Sequence, residues 1–110
     1  MNTASSRREQ IEAMLADDPQ DQFLRYSLAM ELQKAGEHEQ SIGLLRGLMA
    51  DDQPYGAAFF MLAKQLVPLG RIDEARFALR AGIEVARERG DHHAASEMSE
   101  YLTTLGLIGR

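Results

Sequence analysis

Apolar residues in this chain recur at helical intervals, and the pattern is broken at nearly regular distances. Ile11, Met14 and Leu15 fall at i, i+3 and i+4, one face of a helix. This predicts a helix from about Arg7 to Ala16, with Ser6-Arg7-Arg8-Glu9 as a capping box at its start. Asp17-Asp18-Pro19 ends it, because proline disfavours α geometry in the residue before it. Asp21 is placed to cap a second helix, whose apolar face is Phe23, Leu24, Leu28, Leu32 and Ala35. Gly36 closes that helix in the left-handed conformation. A third helix, about Glu39 to Met49, turns Ile42, Leu45, Leu48 and Met49 inward. A fourth, about Tyr55 to Val67, turns Phe59, Leu62, Ala63 and Leu66 inward, and Pro68 with Gly70 stops it abruptly. The fifth starts near Ile72-Asp73 and carries Ala75, Phe77, Ala78, Leu79, Ile83 and Val85. No proline interrupts it, so it is predicted to reach Arg89, with Gly90 as its cap. Asp91 opens a sixth helix bearing Ala94, Ala95, Met98, Tyr101, Leu102 and Leu105. No segment alternates as a strand would, and short turns imply antiparallel neighbours.

The pattern repeats. Leu15-Ala16-Asp17-Asp18 returns as Met49-Ala50-Asp51-Asp52, and Leu28-Ala29-x-x-Leu32-x-x-x-Gly36 returns as Leu62-Ala63-x-x-Leu66-x-x-x-Gly70, 34 residues later in both cases (49 − 15, 62 − 28). Ile11, Leu45 and Leu79 share that spacing, as do Leu15, Met49 and Ile83. A period near 34 is the length of a helix–turn–helix repeat, whose units stack because one pair cannot bury its own apolar face. The first helix is thus equivalent to the third and fifth, the second helix of each repeat. Met98-Ser99-x-x-Leu102-x-x-x-Gly106 matches the first-helix pattern after a two-residue insertion that the longer fifth helix would absorb. Two full repeats, 21–53 and 55–89, are therefore expected between an N-terminal half-repeat, 7–16, and a C-terminal capping helix, 91–105, in a single domain. The outer helices carry polar residues for their exposed sides, Arg7, Arg8, Glu9 and Glu12 at one end and Glu97 and Glu100 at the other.

These residues resemble the tetratricopeptide repeat family. The likeness rests on Leu28, Ala29, Leu32, Gly36, Ile42 and Leu45 in one repeat, and on Phe59, Leu62, Ala63, Leu66, Gly70, Ala75, Leu79 and Gly82 in the other. It implies an α-solenoid, antiparallel helix pairs stacked in a right-handed superhelix. The departures are specific. Ser41 stands where the family usually has alanine, and Leu48 fills a small-residue position whose counterpart is Gly82. The family's first-helix aromatic is Phe59 in the second repeat but Arg25 in the first, and no proline closes the second repeat.

Composition narrows the function classes. With 45% hydrophobic and 26% charged residues, the 110-residue chain has an ordinary globular balance that argues against wholesale disorder. A net charge of −5 disfavours binding to phosphate backbones. No apolar run approaches the roughly 18 residues of a membrane span. The stretch Met1 to Arg8 lacks the apolar core of a signal peptide, so a cytoplasmic location is expected. The absence of cysteine removes disulfides, thiolate metal sites and a cysteine nucleophile.

The resemblance implies that first helices line a concave surface. By position, that surface takes Phe23, Tyr26, Met30, Gln33 and Lys34 from one helix, Phe60, Lys64 and Val67 from the next, and His93, Ser96 and Glu100 from the last. Phe23, Tyr26, Met30 and Phe60 stand out because Leu24, Leu28 and Leu32 already supply a core stripe. Surplus large apolar side chains in a groove suit a peptide or an amphipathic helix. The same patch also fits a homodimer contact, or plain core if Tyr101 or Met98 of the last helix covers Phe60. One subset of the family holds acidic C-terminal tails with a Lys, Asn and Arg clamp, but Tyr26 and Met30 occupy the matching positions here.

Catalytic readings are weaker. His92 and His93 are adjacent and point about 100° apart on a helix, a poor geometry for a shared metal, and His38 lies in a turn region. Asp17-Asp18 and Asp51-Asp52 recur with the period at helix ends, which explains them without chemistry. No H-E-x-x-H, G-x-S-x-G or phosphate-loop motif is present. Gly43-x-x-x-Gly47 has polar neighbours, so close packing in water explains it better than a membrane contact. The expectation is a non-enzymatic protein-interaction module without cofactor or metal, binding a protein or peptide rather than nucleic acid or membrane. The alternatives are a homo-oligomeric scaffold using the same apolar surface, or an accessory or metal-binding domain of an enzyme system.

Overall fold

The computed structural model describes residues 3–108. Met1 and Asn2, part of the stretch read for a signal peptide, lie outside the described residues, as do Gly109 and Arg110. Six α-helices follow one another: α1 Thr3–Asp17, α2 Gln22–Lys34, α3 His38–Ala50, α4 Gly56–Leu66, α5 Ile72–Glu88 and α6 His92–Ile108. A single 3-10 turn, Val67–Leu69, separates α4 from α5. The Cα radius of gyration is 14.7 Å, against about 13 Å for a compact domain of this length, so the array is elongated.

Local chemistry explains the helix ends. The Asp21 carboxylate accepts from the Leu24 N–H at 2.8 Å, and Asp91 accepts from the Ala94 N–H at 3.1 Å. Gly36, Gly70 and Gly90 have φ of +80°, +76° and +72°, which only glycine adopts cheaply. Just past them the N–H groups of Glu37, Arg71 and Asp91 donate to the carbonyls of Leu32, Leu66 and Ala86, at 2.9, 3.1 and 2.8 Å. This is the Schellman closure, and it satisfies carbonyls that a helix end would otherwise leave free. The turn from α3 to α4 lacks such a glycine. Arg25 instead reaches both oxygens of Asp51 at 2.6 and 3.2 Å, and Gln22 donates to Asp51 and to the Gln53 carbonyl, tying α2 to that turn. Arg25, placed where the second repeat has Phe59, thus has a structural task of its own.

The core is the expected leucine-rich stripe. Leu32, Ile42, Leu45, Leu48, Phe59, Leu62, Leu66, Leu79, Ile83, Met98 and Leu105 are buried, each contributing about 1.5–3 kcal/mol if it left water completely. Ala29 and Ala63 have no exposed surface where α2 and α4 meet their neighbours. Ser41 is also fully buried, and its hydroxyl donates to the Ala29 carbonyl at 2.7 Å. That bond lets serine stand at a small-residue position without an orphaned polar group. Gly82 is the tightest point. A Cβ there would lie 2.6 Å from Phe59 Cβ and 2.6 Å from Met98 Sδ, so α4, α5 and α6 meet on a bare backbone.

Several sequence expectations need correction. Helix α1 begins at Thr3, ahead of Ser6, so no capping box forms there. Met14 is exposed because, among the described residues, α1 packs chiefly against α2 on one side. Leu24 and Leu28 are half-buried rather than core. Phe77, assigned inward, is 70% exposed and borders shallow depressions on the outer side of α5 instead of joining the core. Helix α6 runs past Gly106 to Ile108, since no left-handed residue or proline stops it there.

Candidate functional site

First helices α2, α4 and α6 bring Tyr26, Phe60, Lys64 and Glu97 to one cavity of about 340 Å³. Its floor is apolar, with Met61, Val85, Ala86 and Met98, while Arg89 and Asp91 come from the α5–α6 link. The Tyr26 ring packs 5.4 Å from Tyr55 at 47°, and Phe60 meets Tyr101 edge-on at 5.4 Å and 63°. Such pairs hold the rings in place while leaving a face free. Lys64 Nζ lies 4.3 Å over the Phe60 ring, a cation–π contact at the rim. Burial, and then the neighbouring Tyr55, push the Tyr26 phenol above its ordinary pKa, so it is neutral and able to donate. Tyr101 leans against one edge of Phe60 without sealing the cavity. A second depression of about 320 Å³ lies beside it, walled by Phe60, Tyr101, Glu97, Glu100 and Thr104.

The structure gathers part of the surface that the repeat positions point to. Tyr26, Phe60 and Lys64 share the cavity, and Glu100 borders the adjoining depression. His93 is exposed and pairs with Glu97, one turn on, which faces the cavity. Ser96 turns to a polar hollow beside His92 and Arg87. Phe23, 66% exposed, Met30, Gln33, Lys34 and Val67 do not line the cavity. Lys34 sits 3.7 Å from Glu31, a buried carboxylate that Arg7 of α1 also reaches at 3.1 Å. Repeat positions did not assign Met61, Arg89 or Asp91 to this surface, and they offered Met98 only as core or as a cover over Phe60. Arg89 follows α5, the longer helix that absorbs the two-residue insertion, and Asp91 is the helix-start counterpart of Asp21 (21 + 70).

Among the described residues, no three His, Asp or Glu side chains come close enough to hold a metal ion. No described helix is long and apolar enough to cross a membrane.

No family-level sequence profile matches the chain. It is 31% identical over 97 residues to a TPR repeat-containing protein of Pseudomonas aeruginosa, covering 88% of this chain and 92% of the relative. A tetratricopeptide repeat domain protein of Salinibacter ruber, known from a solution structure, superposes with a TM-score of 0.74. The two are 33% identical, over 79% of this chain and 88% of that one. A Bordetella parapertussis protein, also solved in solution, gives a TM-score of 0.77 at 29% identity, over 92% of this chain and 88% of that one. The chain belongs to the tetratricopeptide repeat family. This helical-repeat fold generally mediates protein interactions and is generally non-catalytic.

Proposed function

We propose that this protein is a non-catalytic interaction module that takes a peptide or helix of a partner protein into the Tyr26–Phe60–Lys64 groove. The module is read as one domain, with repeats 21–53 and 55–89 between half-repeats 7–16 and 91–105. One observation carries the reading. Two large rings, Tyr26 and Phe60, line an open cavity although leucines already fill the core around them. A cavity of about 340 Å³ is at the small end of ligand sites, suited to one or two anchoring side chains of a longer segment. Lys64 and Arg89 face Asp91 and Glu97 around it, a mixed rim that favours a partner carrying both charges beside its apolar anchor.

The test is a displayed peptide library panned on the intact chain, followed by amide-shift mapping of the best binder. Shifts are expected at Met61, Lys64, Gly82 and Glu97. Ala57→Trp fills the cavity mouth from an exposed position and should weaken that peptide by about tenfold or more while the fold persists. A binder whose shifts avoid these residues, or whose affinity ignores Ala57→Trp, would refute the reading.

A further inference from the structure

On the other side of the α5–α6 pair lies a surface that the repeat register says should be covered. Ala29 and Ala63 are fully buried under the helix that follows each, and Leu32 and Leu66 nearly so. Their counterparts on α6 are Ser99 and Leu102 (63 + 36, 66 + 36), and both remain partly exposed. Among the described residues no helix packs over them. With α5 they wall a shallow depression of about 600 Å³, whose rim is Phe77, Arg80, Ala81, Glu84 and Arg87. Phe77 projects from that rim with 70% of its surface exposed.

The rim charges indicate the occupant. Arg80 and Glu84 are opposite in sign, one turn apart and exposed, and neither has an ion-pair partner among the described residues. Arg76, by contrast, pairs with Asp73 on the same helix. A strip of this kind is complementary to itself when reversed. Two α5 helices laid antiparallel about a two-fold axis crossing their exposed faces at the height of Gly82 set Arg80 against the partner's Glu84 twice. The same axis brings each Phe77 opposite the partner's Arg87, and a guanidinium stacks well on an aromatic ring. Such an interface closes on itself, whereas stacking α6 on a second copy's α1 would grow without end.

We propose that this surface is a homodimer interface, in which a second copy lays its α5 antiparallel across α5, pairing Arg80 with the partner's Glu84 and seating Phe77 beside the partner's Arg87. The inference does not rest on the groove reading. Sedimentation over a micromolar-to-millimolar series tests it, with Phe77→Glu, Arg80→Glu, Glu84→Arg and the Arg80→Glu/Glu84→Arg double reversal. All three positions are exposed, so circular dichroism should stay unchanged. The wild-type chain should form a dimer, each single substitution should weaken it about tenfold or more, and the double reversal should restore it. Ala57→Trp should leave the dimer intact, which separates this surface from the groove. A chain monomeric throughout, open-ended oligomers, a dimer indifferent to the single substitutions, or a double reversal that fails to rescue would each overturn the proposal.

Discussion

Gly82→Ala sets two known effects against each other at one carbon atom. Alanine in a helix interior is favoured over glycine by about 0.8–1.0 kcal/mol. Overpacking a filled core costs about 1–3 kcal/mol. At Gly82 the new Cβ would lie 2.6 Å from Met98 Sδ and 2.6 Å from Phe59 Cβ, where carbon contacts settle at about 3.5–4.0 Å. Met98 is flexible and can swing its sulfur away. Phe59 Cβ is fixed to the α4 backbone, so α5 must back away from α4 by roughly 1 Å, loosening Leu62, Leu79 and Ile83 behind it. The cost therefore falls at the upper end of its range, and the net loss is about 2 kcal/mol. Gly43→Ala is the internal control. Gly43 is helical and exposed with nothing within 4 Å, so it should gain up to about 1 kcal/mol from propensity alone. Urea unfolding followed by circular dichroism reads both midpoints, and an unchanged slope confirms that stability moved rather than compactness. In a thermal scan the Gly82 variant should melt roughly 8 °C or more below wild type. A Gly82→Ala protein as stable as wild type would show that the close approach of the three helices is wrong.

Gln65 is 3% exposed, and neither atom of its amide has a hydrogen-bond partner among the described residues. Gln65→Met, which keeps the volume and drops the polar atoms, should therefore raise stability by about 1–2 kcal/mol, and a lower urea midpoint would contradict the orphaned amide. Asp51 is held below the ordinary aspartate pKa by hydrogen bonds from Arg25 and then Gln22. Its folded pKa lies under its unfolded value of about 3.9, so its contribution is complete above that pH and disappears as pH falls through the folded value. Glu74, held down by Arg71 and then Arg46, adds to the same acid limb. Urea midpoints measured down into the acid range should fall less steeply for Asp51→Asn than for wild type, and parallel curves would remove Arg25–Asp51 as a contributor.

Helix count, order and turns were legible because each rested on local chemistry. The caps at Asp21 and Asp91 and the left-handed turns at Gly36, Gly70 and Gly90 depend on residues within one helical turn. Phe77 was misread for a tertiary reason. Its spacing fits the apolar face of α5, but which side of that face is covered depends on whether another helix lies over α6. Ser6-Arg7-Arg8-Glu9 has the letters of a capping box, yet residues ahead of it also form helix, so the box has no free N–H groups to satisfy. In the groove, Tyr26, Phe60 and Lys64 were readable from the repeat register. Arg89 and Asp91 were not, because they lie in the α5–α6 link, outside the helix positions that the register assigns to the concave surface, whereas Met98 was placed by the register as a core residue or a cover over Phe60. Gln65 and Glu31 occupy the same register position, 34 apart, and both are buried, a pairing visible only once burial is known.

Close backbone approach joins chiefly helices adjacent in sequence, while α4 and α6 meet through side chains such as Phe60 and Tyr101. Each pair can therefore assemble soon after it leaves the ribosome, since no distant strand must first be found. The same arrangement confines error and novelty. The two extra residues are taken up within α5 and its link to α6, leaving the Leu28 and Leu62 layers in register. A duplicated 34-residue segment would enter such a chain as one more layer, so length is a quantity this architecture can vary in inheritance without being redesigned.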